Sequence, residues 1–184
     1  MDNTHCLIYA GNHGVATQGV SAYPSDVTVQ MVENFKRGGA AINQICKLAN
    51  IHLSVIPIDL EYPTRDFSKE EAMGLEETIA AMQLGFDSVN QDCDLLLLGE
   101  MGISNTTAAT AIACALFKQP VEAWTGIGTG LDEKRLANKI SVIKSAIELH
   151  GQNFKSPESI LATLGGRELA AIVGSRIAAR LLRI

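Results

Sequence analysis

Apolar positions in this chain fall into short unbroken runs, separated by stretches with helical spacing. The clearest run is LLLL at residues 95–98, too short and too uniformly apolar for an amphipathic helix and well suited to a central parallel strand covered on both faces. It breaks into a loop, GEMGIS at residues 99–104. A helix follows, with Ser104 or Asn105 able to cap it, Thr106 and Thr107 opening it, and an expected end near Phe117. HCLIYA at residues 5–10 predicts a first strand that ends in the loop GNHG, IHLSVIP at residues 51–57 another, and VEAW at residues 121–124 a short further strand.

Helical spacing fills the intervals. Val27, Met31, Val32 and Phe35 follow a cap at Ser25 or Asp26 and run to the break at Gly38 and Gly39, and a second helix is predicted over 40–48. Over 75–89, Leu75, Ile79, Met82 and Phe86 recur as one stripe, predicted to cover the sheet. Asp132 can cap a helix striped by Leu136, Ile140, Ile143 and Ile147, and further helices are predicted over 156–164 and 168–182. Residues 58–74, of mixed charge and irregular pattern, are the expected mobile loop. Strands alternating with helices predict an α/β fold, a doubly wound, Rossmann-like parallel sheet flanked by helices, in a single domain over 1–184.

Composition narrows the class. At 184 residues and 47% hydrophobic content the chain can bury one core and is too short for two. A net charge of -5 without a Lys/Arg-rich run argues against nucleic acid as partner. Cys6, Cys46, Cys93 and Cys114 are dispersed among apolar neighbours and read as buried free thiols. With His5, His13, His52 and His150 equally scattered, no metal-ligand spacing arises. No apolar run reaches membrane-spanning length and the start carries no basic leader, so no membrane partner and a cytoplasmic location are expected.

Candidate chemistry lies beyond the carboxyl ends of the strands, where open α/β sheets bind ligands. The first turn after residues 99–104 offers unpaired N–H groups and the positive end of a helix dipole, a site for a phosphate. This is not a nucleoside-triphosphate loop, because no Lys or Arg lies between Gly99 and Thr107. The alternative is an ordinary strand-to-helix connection with a good cap. Glu100 favours a ligand: beside a phosphate it would be repelled unless it faced a ribose hydroxyl or an N–H. The ligand would then be phosphorylated and carry a donor-bearing portion.

Other positions read two ways. His13 in GNHG is either a ligand contact or a structural donor. Gly126, Gly128 and Gly130 miss the dinucleotide fingerprint by one residue and suit a loop of close backbone approach. Lys139 sits at the edge of its helix's apolar stripe, placed to reach water or a phosphate. Arg176, Arg180 and Arg183 suit a helix end and a solvated face.

The segments AGNHGVATQGVSAYPSDVT, MVENFKRGGAAIN, GEMGISNTTAA, GIGTGLDE with KRLANKI, and LATLGGRELAAIVG, in this order from Gly11 to Gly174, closely resemble the nicotinate-nucleotide:dimethylbenzimidazole phosphoribosyltransferase family of cobalamin assembly. The resemblance implies transfer of the phosphoribosyl group of nicotinate mononucleotide to 5,6-dimethylbenzimidazole, giving α-ribazole 5′-phosphate and nicotinate, with no metal or other cofactor and with a homodimeric assembly. It implies that Gly102, Ser104, Asn105 and Thr106 hold the 5′-phosphate and that Lys139 and the loop of Gly128, Thr129 and Gly130 close over it. Glu100 then faces the ribose and the reacting centre, and Asn12, His13 and Met101 border the aromatic base.

Departures from the family pattern accompany these matches. Asn12 stands where the family usually has Asp, Arg167 where an aromatic residue is common, and Ser104 where Gly is usual. The last is an exchange expected only where the backbone does not need a positive φ. Family members are usually much longer at both ends, and the carboxylate regarded as their principal general base lies in a C-terminal segment with no counterpart after Ile184. The alternative function is a catalytically impaired truncated paralogue that binds a nucleotide or a partner.

Overall fold

The computed structural model describes residues 3–128, 130 and 132–184. Three parallel strands form its sheet: β1 (Thr4–Ala10), β2 (His52–Pro57) and β3 (Leu95–Met101), in the order β2-β1-β3. The chain therefore builds outward from β1 on one side and returns to build on the other. This reversal of winding opens a crevice between the carboxyl ends of β1 and β3.

Side-chain alternation along β1 assigns its two faces. Leu7 and Tyr9 point to one side, packing with Leu96 and Leu98 against Ala171 and Ala178 of α8 (Arg167–Leu182). Cys6 and Ile8 point to the other, where Phe35 of α1 (Asp26–Lys36) and Ile42 and Cys46 of α2 (Ala41–Leu48) cover them. The expected doubly wound α/β architecture is present, with a larger helical share than foreseen. A further core joins α4 (Asn105–Phe117), α6 (Glu133–His150) and α7 (Pro157–Leu164) around Val15, Phe67 and Met73. All four cysteines are buried free thiols, as expected.

The sequence VEAW is not a strand but the short helix α5 (Val121–Trp124). Pro120 supplies a φ of -58° just ahead of it, the Thr125 N–H bonds the Val121 carbonyl, and Val121 itself enters the helical core. Stacking of Trp124 on Phe117, at a ring separation of 5.5 Å, completes an anchor that no neighbouring strand could have provided.

In α3 (Leu75–Asp87) the stripe faces the other way from that expected. Leu75 and Ile79 are 58% and 55% exposed, whereas Thr78, Ala81 and Gly85 are buried. Small residues win this position because α3 and α8 pack almost backbone to backbone. A Cβ on Gly85 would collide with the carbonyl of Ala171, and one on Gly174 with the carbonyl of Met82. Of the stripe, Leu75, Ile79 and Phe86 are left outside, the last two lining a shallow groove with Ile177 of α8, while Met82 is partly buried against Leu161 and Ala170.

Residues 58–74, expected to be mobile, are strapped down. The N–H groups of Thr64, Ala72 and Met73 bond the carbonyls of Asn12, Thr163 and Ala162, and Phe67, Ala72 and Met73 are fully buried. His150 adds a 2.9 Å hydrogen bond to the Phe67 carbonyl.

Entry to α4 corrects a further expectation. Ser104 is its N-cap, yet it sits at φ 74° and ψ 4°, makes no side-chain capping bond, and buries an Oγ without a partner among the described residues. Left-handed backbone at a residue bearing a Cβ costs about 1–2 kcal/mol. The position does call for positive φ, and serine occupies it under strain.

Two stability measurements follow. Replacing Gly85 by Ala should destabilise the chain by about 1–3 kcal/mol in urea unfolding, because the seam cannot open for one methyl. Ser104→Gly should stabilise it by about 0.5–1 kcal/mol, the relief of left-handed strain exceeding glycine's extra chain entropy.

Candidate functional site

The loops that leave β1 and β3 meet in the crevice. The Gly11 N–H donates to the Met101 carbonyl at 3.0 Å, and a Cβ on Gly102 would stand 2.5 Å from the Gly11 carbonyl oxygen. Glycine at 102 is therefore required by contact between the two loops. Thr28 of α1, itself buried, accepts the Ile103 N–H at 3.1 Å and fixes the β3 loop from the other side.

A cavity of about 300 Å³ opens over this loop. Its polar end is formed by Gly102, Ser104, Asn105 and Thr106 with Gly128 and Lys139, and its apolar end by Val20, Val27, Met31 and Met101. Asn105 and Thr107 turn their N–H groups back to the Gly102 and Ser104 carbonyls, which leaves the Thr106 N–H, at the dipole-positive end of α4, without a helical partner.

Lys139 supplies the charge. It is 1% exposed, and its Nζ donates to Thr106 Oγ1 at 2.8 Å; among the described residues no carboxylate pairs with it. Burial pushes its pKa below the ordinary lysine value. The buried stripe of α6 is Lys139, Ile143, Ala146 and His150, so the residue read at the stripe's edge lies within it. Gly128, at φ 60°, brings backbone so near that a Cβ would lie 3.5 Å from Thr106 Oγ1 and 3.7 Å from Lys139 Nζ. A buried amine held by one hydroxyl, beside the Thr106 N–H at the helix start, is an arrangement able to receive a small anion.

The remaining expected residues lie around this cavity. Glu100 is on β3 just before Met101, opposite Tyr9 of β1. Although it keeps an exposed surface, the protein encloses it closely. That loss of hydration raises its pKa, the Glu168 carboxylate raises it further, and His13 opposes both. Asn12 and His13 do not line the cavity. Asn12 donates from Nδ2 to the Leu60 carbonyl at 2.9 Å, and His13 Nε2 lies 2.7 Å from Glu168 Oε1, both residues being buried. Gly130, at φ 78°, has open space around it and is not on the lining, while Thr129 falls outside the described residues.

Sequence reasoning missed Glu168 and the apolar wall. An acidic residue in the first turn of a helix reads as an ordinary dipole partner, and only the preceding GGR, which lets the turn pass close to GNHG, hinted at a buried role. Val20, Val27 and Met31 were read only as helix and connection.

Comparison with known proteins identifies the family. A family model described as phosphoribosyltransferase matches residues 1–184. The nicotinate-nucleotide–dimethylbenzimidazole phosphoribosyltransferase of Mesorhizobium japonicum is 51% identical over 184 residues, 100% of this chain and 55% of the relative. That of Methylorubrum extorquens is 50% identical, covering 100% and 54%. Among solved structures, CobT from Thermus thermophilus superposes with a TM-score of 0.86 at 35% identity, over 97% of this chain and 59% of that one. The chain thus spans about half the length of the curated relatives it matches. With a family model covering its whole length and relatives at this identity, the chain belongs to the nicotinate-nucleotide:dimethylbenzimidazole phosphoribosyltransferase family.

Proposed function

We propose that this chain is a nucleotide-binding α/β domain that takes nicotinate mononucleotide and transfers its phosphoribosyl group to 5,6-dimethylbenzimidazole, releasing nicotinate in a step of cobalamin biosynthesis. The observation that carries this reading is the buried Lys139 of α6, which donates to Thr106 at the start of α4 and has no carboxylate partner among the described residues. A phosphate seated on Ser104, Asn105, Thr106 and Lys139, with Gly128 beside it, would neutralise that charge. The aromatic portion would then lie toward Met101, Val27 and Met31, at the apolar end of the same cavity.

The transfer needs alignment more than covalent help. As the C1′–N bond to the pyridinium breaks, its electron pair returns to the ring and nicotinate departs with a neutral nitrogen. An unprotonated benzimidazole nitrogen forms the new C1′–N bond, and the resulting cation gives up its N–H proton. Glu100, one residue from the cavity wall and with its proton affinity raised, is the acceptor we assign. Asn12 and His13, within the loop after β1, hold that loop against Leu60 and Glu168 beside the place where the base would rest.

A homodimer fits the outward apolar side chains of α3 and α8, Leu75, Ile79, Phe86 and Ile177, which a second copy would cover. A cytoplasmic location fits phosphorylated substrates that do not cross membranes unaided.

Product formation from nicotinate mononucleotide and dimethylbenzimidazole tests the activity. Glu100→Gln should lower turnover by about 100- to 10,000-fold while leaving nucleotide affinity intact. Lys139→Met should weaken nucleotide binding by about 10- to 100-fold while raising thermal stability, since it removes an uncompensated buried charge. Nucleotide binding without turnover would favour a binding module, and no binding at millimolar nucleotide would overturn the assignment. Light scattering at micromolar concentration should give twice the chain mass, and a monomer would count against the dimer.

A further inference from the structure

We propose that His5 and His52 form a chelating pair for a divalent transition-metal ion, zinc, nickel or copper, at the end of the sheet opposite the crevice. Neither residue lines the nucleotide cavity, and the pairing stands apart from the functional reading above.

Strand register, not spacing along the chain, makes the pair. His5 of β1 stands directly opposite His52 of β2 in the parallel ladder. Residues so paired send their side chains to the same face of a sheet. The two ring centres lie 4.9 Å apart, with the planes tilted by 45°. A metal about 2.1 Å from one nitrogen of each ring, with its bonds near the tetrahedral angle, puts the ring centres about 5 Å apart. The rings therefore already stand at the separation of two imidazoles that share one ion.

Hydrogen bonding decides which nitrogen of His5 is available. Asn3 donates from Nδ2 to the Asp92 carbonyl at 2.6 Å. Its Oδ1 is thereby turned to His5 Nε2, at 3.0 Å, and an amide oxygen can only accept. Nε2 carries the proton, and Nδ1 is left with a lone pair. Metal-binding histidines are held in this way, one nitrogen on the ion and the other donating to a fixed oxygen. Asn3 is itself anchored: the Asp94 carboxylate accepts its N–H at 3.0 Å, and its carbonyl accepts the Asp94 N–H at 2.8 Å.

His52 supplies the second lone pair. It is exposed at the edge of the three-stranded sheet, and its ring makes no hydrogen bond among the described residues, so it can turn to close the angle. A cleft of about 310 Å³, lined by Asn3, Thr4, Asn50, Ile51 and His52, leaves room for water at the remaining coordination positions. Imidazole donors suit zinc, nickel and copper, whereas calcium and magnesium take oxygen ligands. The other two histidines are buried and engaged, His13 by Glu168 and His150 by the Phe67 carbonyl. A bound ion would lash the edge strand β2 to the central strand β1.

The test is a zinc titration of the full chain, followed by the imidazole NMR signals of its four histidines. We expect those of His5 and His52 to move together with one shared midpoint, while those of His13 and His150 stay still. In His52→Gln the His5 response should be lost at the same zinc concentrations, and Asn3→Ala should weaken binding by about 10- to 100-fold. Separate midpoints for the two rings would overturn the proposal. So would a His5 response that survives unchanged in a folded His52→Gln, or signals that stay still at millimolar zinc. Should His52→Gln not fold, the wild-type midpoints decide alone.

Discussion

Everything in this fold hangs on β1 being paired on both sides. Cys6 to Ala10 are buried, and the two faces of the strand are taken up by different helices, so β1 has no freedom to tilt or slip. Because β2 lies on one side and β3 on the other, the chain reverses its winding across β1. The loops that leave β1 and β3 then have nowhere to go but toward each other. Gly11 and Gly102 are the point of contact, and the start of α4, the Glu100 carboxyl and the His13–Glu168 pair gather around that meeting.

The features that sequence reading reached were those determined by local chemistry. Continuous apolar runs showed β1, β2 and β3, and the break at residues 99–104 marked the helix start, although β3 itself runs on to Met101, three residues into the stretch read as loop. Asp132 capped α6 as its position implied, bonding the Arg135 N–H at 2.8 Å. What escaped depended on contacts between distant segments. VEAW has strand-like residues but no strand to pair with. The stripe on α3 obeyed helical periodicity, yet a seam of small residues decided which face turned inward, and hydrophobicity alone does not register the value of a missing Cβ. Glu168 and His13 are 155 residues apart, so neither announces the other.

The site is also where the chain departs from local comfort. Ser104 holds a left-handed backbone, Lys139 is a buried cation, and Asn12 Oδ1, His13 Nδ1 and Glu168 Oε2 lack partners among the described residues. Each lowers the stability of the empty fold. Such strained backbone and unpaired buried polar groups, gathered at one end of the sheet, are what functional sites concentrate.

The four buried thiols have a use that owes nothing to catalysis. Cys6 lies in β1, Cys46 in α2, Cys93 before β3 and Cys114 in α4, so each reports on a different part of the molecule. Burial, together with the neighbouring Cys46 thiol, lifts the Cys6 pKa to about 11, and burial also raises that of Cys114. In the closed fold burial keeps all four away from alkylating reagents, which attack accessible thiolates. Their labelling rates act as four internal clocks, each ticking only when its own region opens, so the order in which the sheet and the helical layer come apart can be read from the native sequence without introducing a probe.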